Sequence, residues 1–310
     1  MKPTRQARSA MLLVVGALLW GVALAAQAVG SGYVGAYTFL ACRSWLACLF
    51  LAFVLAVRRL TRRAGDRAAG AARPRRRGAL AGGALCGVFL FAASAAQQMA
   101  VGEVSTAKAG FLTALYIVMV PLAGLFTRRP GWRIWLCVAA SAAGLYLLCL
   151  AGQDTLRLSA GEWQLLLCAL LFTVQILLVG RYGPRADGVA LNFCQFFTMA
   201  VLSTAFMFAF EQPFWEQISG AAGAILYCGV LASGVGYTLQ IVGQRGLDPA
   251  VASLAMCLES VFGALSGWLL LGQSLTGTEL AGCALMFAGI VGATAAGRAP
   301  SRAAGTAGRT

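Results

Sequence analysis

ASLAMCLESVFGALSGWLLLG, from Ala252 to Gly272, carries the first decision about this chain. At about 1.5 Å of rise per residue, an apolar helix of this length crosses a hydrocarbon core of roughly 30 Å. The stretch is nevertheless interrupted near its middle by one acid, Glu259. An ionisable side chain at that depth costs about 2.5 to 3.5 kcal/mol on insertion scales, so it needs a partner, an aqueous cavity or both.

The rest of the chain repeats the pattern. Hydrophobic residues make up 60% and charged residues 11% of the sequence, where a soluble domain keeps about a quarter of its residues charged. Ten apolar runs follow one another, near 9–29, 35–57, 79–101, 104–126, 134–151, 163–180, 189–210, 220–243, 249–271 and 278–296. None shows the alternation of a lipid-embedded barrel strand. The expected fold is an all-α membrane protein of ten transmembrane helices, in contact with the lipid bilayer.

The formal charge of +14 is distributed on one side. With the N-terminus in the cytoplasm, all of the 24 basic residues except Arg43, Lys108 and Arg157 fall in inside segments, nine of them between Arg58 and Arg77. The positive-inside rule therefore predicts a multi-pass protein of the cell inner membrane with both termini cytoplasmic. The arginine run reads as a topology anchor against anionic lipid, and no nucleic-acid partner is expected. Residues 1–28 imitate a signal peptide, but cleavage would leave nine spans and spoil this alternation. Ten cysteines lie inside apolar runs without any CxxC, and the chain lacks histidine. No metal site of the usual ligand types, no disulfide framework and no cofactor is implied.

The two halves are weakly alike. GVFLFAASAAQQ, ending at Gln98, lines up with GVLASGVGYTLQ, ending at Gln240, and MVPLAG (119–124) falls near LESVFG (258–263). The chain then divides into a first five-helix repeat over 1–151, a second over 152–297 and a disordered cytoplasmic tail over 298–310. Five spans per half force the second half to enter the membrane in the opposite sense, and inverted repeats of this kind typify secondary transporters, with the substrate site near the midplane between them.

Two ionisable residues sit deep, Arg43 and Glu259. Glu259 shares a helical face with Ala255, Gly263 and Gly267, so it faces protein. Two roles fit it: a structural partner of Arg43, or a group that contacts a cation or proton at a water-filled cavity. The glutamines Gln27, Gln97, Gln98, Gln175, Gln195, Gln240 and Gln244 are also expensive in lipid, and they serve either as interhelical hydrogen-bond partners or as a cavity lining. Tyr116 and Tyr237 would add hydroxyls, and Trp20 either packs in the core or stacks on a ligand. The candidate substrate-binding or coupling residues are thus Glu259, Arg43, Gln98, Gln240, Tyr116, Tyr237, Gln195, Gln97 and Trp20.

LLWGVALAAQ in the first run, TAKAGFLTALYIVMVP in the fourth, LNFCQFF in the seventh, YTLQIVGQ in the eighth and LESVFGALSGWLLLG in the ninth resemble, in order and spacing, the EamA-type transporters of the drug/metabolite transporter superfamily. The resemblance implies two inverted five-helix repeats around a central cavity, and movement of a small metabolite, amino acid or drug-like solute, often outward. Two departures stand out. Glu259-Ser260 replaces the family's Glu-Pro, so a proline kink is expected only at Pro121, and Leu271-Gly272-Gln273 replaces Leu-Gly-Glu. The expected function is secondary transport, as an exporter with proton coupling. A non-transporting sensor or assembly subunit is the alternative. An intramembrane enzyme is not expected, because no nucleophile with a base appears among the deep residues.

Overall fold

The computed structural model describes residues 5–65, 76–100, 103–104, 106–125, 131–149, 159–271 and 275–296. The bulk of the arginine run, Arg157, most of the proposed link between repeats, the C-terminal tail and the Gly272-Gln273 departure lie outside the described residues, as does the Lys108 side chain. The described part is helical, without a strand: α1 (Arg5–Ser31), α2 (Ala36–Gly65), α3 (Arg76–Ala100), α4 (Thr106–Ala114), α5 (Tyr116–Gly124), α6 (Trp132–Cys149) and α7 (Ala160–Tyr182) are followed by a short 3-10 turn. Then come α8 (Gly188–Phe210), α9 (Trp215–Gly220), α10 (Ala222–Leu226), a π-helical stretch (Tyr227–Gly236), α11 (Tyr237–Gln244), α12 (Pro249–Met256), α13 (Leu258–Leu271) and α14 (Gly277–Ala296).

Eight helical segments are long and apolar enough to span a membrane, and two shorter apolar ones cover Ala109–Gly124 and Trp132–Leu148. All ten coincide with the apolar runs. Their outer surfaces carry exposed Leu, Phe, Val and Trp side chains, among them Trp132, Trp163 and Trp215 near helix ends, as a lipid-facing surface requires.

Local chemistry starts the helices where polar residues interrupt the apolar pattern. Ser159 and Glu162 form a capping box at the start of α7, Asp187 accepts from Val189 and Ala190 at the start of α8, and Asp248 caps α12 ahead of Pro249. Each satisfies amides that the first helical turn leaves without partners. Glu211 does the same for another element: its carboxylate accepts from the Tyr37 and Thr38 amides and the Thr38 hydroxyl, sealing the N-terminus of α2 from the end of α8. A Cβ at Gly35 would overlap that carboxylate, so the clamp needs glycine there.

The helix partners match across the halves. α3 packs on α7 as α1 packs on the π stretch and α11, while α2 pairs with α8 and α6 with α14. In the last pair, Gly144 and Gly282 lie against each other's carbonyls, which brings the two backbones into direct contact.

Two spans are broken at matching places. α4 gives way to α5 at Leu115, where Val118 N–H bonds the Leu115 carbonyl, and α12 gives way to α13 at Cys257, where Ser260 N–H bonds the Cys257 carbonyl. At Cys257 the three-residue closure stands in place of the normal four-residue one, and at Leu115 it stands beside it, because Met119 N–H bonds the same carbonyl. Leu115 and Cys257 are the same sequence distance apart as Gln98 and Gln240, so the repeats align here without the gap that MVPLAG and LESVFG suggested. The ninth span is broken although it holds no proline at the break. A tightened turn at Cys257, with the thiol donating to the Leu254 carbonyl, achieves it without proline.

Candidate functional site

The breaks meet. Tyr116 opens α5 and Glu259 stands at the second position of α13, and the tyrosine hydroxyl donates to the Glu259 carboxylate at 3.4 Å. Beside them lies a cavity of about 610 Å³, counting all the space between its lining atoms and the open solvent at its mouth. Its lining draws on α1, α2, α3, α5, α7, the π stretch, α11, α12 and α13.

Seven of the nine sequence candidates line this cavity: Trp20, Arg43, Gln97, Tyr116, Tyr237, Gln240 and Glu259. Gln98 does not, because its amide turns to the Gln27 carbonyl at 3.5 Å. Gln195 lies one step behind the wall. Gln27, Gln175, Phe172, Ser233 and Met256 also line it, with Ala23, Leu24, Ile176 and Ala232. Of these the two glutamines stood out in the sequence as costly amides, whereas Phe172, Ser233 and Met256 carry no signal that separates them from ordinary packing residues.

Arg43 is 6% exposed and its Nε has no hydrogen-bond partner. The guanidinium sits 6.0 Å from the Phe39 ring centroid. Although Arg43 and Glu259 face the same cavity, the ion pair found among the described residues joins Arg58 to Asp187 at 3.8 Å and does not involve either of them. Trp20 is both packed and exposed to the cavity: its indole N–H donates to the Ala232 carbonyl at 3.2 Å, and its ring lies 4.9 Å from that of Tyr237.

The amides form a directed chain. Gln240 donates to Gln175 at 3.2 Å, Gln175 to Gln195 at 3.4 Å, and Gln195 to Asn192 at 2.7 Å. Asn192 then donates to the Ser233 and Gly234 carbonyls, each at 3.1 Å. It also donates to the Thr238 hydroxyl at 2.9 Å, which in turn donates to the Gly234 carbonyl at 2.7 Å. Because every Nε2 is committed to the next acceptor, Gln240 presents its Oε1 free, buried and without a partner. Asn192, inside the LNFCQFF motif, was not among the sequence candidates, and only the π stretch reveals its role.

Interhelical bonding and cavity lining are thus the same residue's work at Gln240. Gln240→Leu would strand the Gln175 acceptor as well as remove the free oxygen. We expect a folded protein, destabilised by about 1 to 3 kcal/mol for the stranded acceptor, with solute affinity about tenfold weaker for one lost hydrogen bond. Thermal melting and a binding titration on the same preparation check both. Unchanged affinity in a folded variant would remove Gln240 from the site.

The model of the EamA-like transporter family matches residues 7–150 and again 159–295. The chain belongs to the EamA-like transporter family. Membership places it in the drug/metabolite transporter superfamily, and it is a multi-pass integral membrane protein. Among curated proteins, one of Archaeoglobus fulgidus named as an uncharacterized transporter is 24% identical over 207 residues, covering 66% of this chain and 66% of that relative. A solved crystal structure of another protein superimposes with a TM-score of 0.72 at 18% identity, covering 94% of this chain and 97% of that one. That likeness shows a shared fold over nearly the whole length.

Proposed function

We propose that the protein is a secondary transporter that moves a small polar solute across the cell inner membrane, with ten spans arranged as two inverted repeats over 1–151 and 152–297 and both termini cytoplasmic. One observation carries the reading. Two interrupted helices, one from each family match, bring Tyr116 and Glu259 together on the wall of a polar cavity buried inside apolar helices. Discontinuous spans that expose side chains at mid-depth are how transporters build a site in a medium that tolerates no loose polar groups. Rocking the repeats about the cavity would open it to either side in turn. Outward movement against an inward proton flow fits the single cavity acid, since the proton and a cationic group of the solute compete for one carboxylate.

Flux tests this directly. Purified protein is screened for solutes that raise its melting temperature, and any that do are loaded into proteoliposomes. Counterflow of a bound solute is expected. Binding without any flux would favour a sensor or assembly subunit and overturn the transport reading.

The topology has its own check. Single cysteines at Gly70 and Thr155, both outside the described residues, are expected to react with a membrane-impermeant maleimide from opposite sides, Gly70 from the cytoplasm. Labelling from the same side would remove the inverted arrangement.

A further inference from the structure

Arg43 is a buried cation that the protein itself does not serve. Its side chain is 6% exposed, its Nε has no hydrogen-bond partner, and no carboxylate among the described residues pairs with it. Glu259, across the same cavity, takes its hydrogen bond from Tyr116 instead. The Phe39 ring, 6.0 Å from the guanidinium, offers only a π face, which offsets far less than the loss of water costs a full charge. A solute that comes and goes leaves that charge unserved between loads. The guanidinium's side of the cavity is also rich in donors. A Cβ built on Gly229 would lie 2.9 Å from the Arg43 carbonyl oxygen, so α2 presses directly on the π stretch there, and Ser233 and Tyr237 bring hydroxyl groups from that stretch and α11 to the same cavity.

We propose that Arg43 holds a small inorganic anion, of chloride's size and charge, against α2 and the π stretch, at a site of its own beside the acid. The inference goes beyond the transport reading and does not need it. A guanidinium supplies a fork of N–H donors and no acceptor, and a halide, having no fixed lone-pair direction, takes donors from whichever side they come. Occupancy of the site is tied to Glu259. With that carboxylate ionised, the cavity holds one negative charge against Arg43; once it is protonated, a net positive charge remains in low-dielectric surroundings and draws an anion in. Proton and anion therefore bind together, each raising the other's affinity by the same factor. The other titratable groups that face the acid, Tyr116, Tyr237, Cys168 and Cys257, are phenols and thiols, which ordinarily stay neutral below neutral pH. α1, packed along α13, brings no titratable group to the cavity. Acidification thus addresses Glu259.

The test is binding of radiolabelled chloride to the purified full chain in detergent, at constant ionic strength made up with bulky gluconate. Saturable binding is expected, tightening about tenfold as the pH falls through the titration of Glu259, a usual size for coupling between two sites. Arg43→Gln should weaken it about tenfold or more, through loss of a charge-assisted contact, whereas Arg43→Lys, which keeps the charge, should retain binding. Glu259→Gln, neutral throughout, should bind at every pH as tightly as the acidified wild type. If Arg43→Gln fails to fold, the wild-type measurements decide. Absent binding, or binding indifferent to pH, overturns the proposal, and unchanged binding in folded Arg43→Gln does so by marking an adventitious ion only. Displacement of chloride by acetate at far lower concentrations than by bromide overturns it too, because it gives Arg43 to an organic acid. Solute flux is a separate readout: chloride binding without flux upholds this site and sinks transport alone, and flux without chloride binding sinks the site alone.

Discussion

Glu259→Gln is expected to bring uptake driven by a pH gradient down to the level of protein-free vesicles, while exchange between equal, saturating pools of solute persists. The substitution keeps the size of the side chain and an oxygen that can still accept from Tyr116, so it changes little in the packing of α13. What it removes is the ability to take up and release a proton. Glu259 is the acid that lines the cavity; Glu162, Asp187, Glu211, Asp248 and Glu279 sit at helix starts or ends, where they serve backbone amides. A buried ion pair would predict a different outcome, because removing one partner strands the other and destabilises by about 3 to 5 kcal/mol. No such pair joins Glu259 to Arg43. A folded variant with undiminished gradient-driven uptake would sink the proton role. Poor folding that Arg43→Gln repairs in the double mutant would instead establish a coupling between the two residues.

The second large effect is expected at Gly282, where no chemistry takes place. A Cβ on Gly282 would come within 2.6 Å of the Gly144 carbonyl oxygen and 2.7 Å of the Leu148 amide nitrogen. Both obstacles are backbone, so neither can swing aside as a side-chain end would. Gly282→Val therefore forces α6 and α14 apart along a contact built on close approach. Overpacking of this kind costs about 1 to 3 kcal/mol and occasionally more, against a total stability that is only about 5 to 15 kcal/mol for ordinary domains. The expected result is a large fall in melting temperature or no monodisperse protein by size-exclusion chromatography. Gly223→Val is the control, since a Cβ there meets nothing within 4 Å and should leave melting unchanged. Equal melting of the two variants would show that the α6–α14 contact does not hold the fold together.

Hydropathy made the helical segments legible because lipid demands an unbroken apolar exterior, and that demand is written residue by residue along the chain. The breaks at Leu115 and Cys257 are of another kind. Each is marked by three-residue hydrogen bonds, which no composition records, and the one obvious signal, Pro121, marks a place six residues past the break it accompanies. The pair Gln97 and Gln98 shows the same limit at the site. Neighbours on a helix point about 100° apart, so only one of two adjacent amides can face a cavity, and which one depends on the rotation of α3 against its partners. The alignment with Gln240 favoured Gln98; the cavity is lined by Gln97. Arg43 and Glu259 were recognisable as the deep charges, but whether they touch depends on the spacing between α2 and α13, which the linear order does not encode.

The Glu211 clamp bears on how such a molecule can move. α2 and α8 come from different halves, yet they are tied at one end by that carboxylate, along their length by Trp45 donating to Thr204 at 2.9 Å, and at the other end by Arg58 against Asp187. Ties at both ends of a shared seam resist sliding along it, and turning about it, like covers about the spine of a book, disturbs them least. Under the proposed rocking, the side of the cavity bordered by α2 would stay put and the travel would fall to the elements farther from the seam, where the interrupted helices α4–α5 and α12–α13 supply places at which the chain can bend.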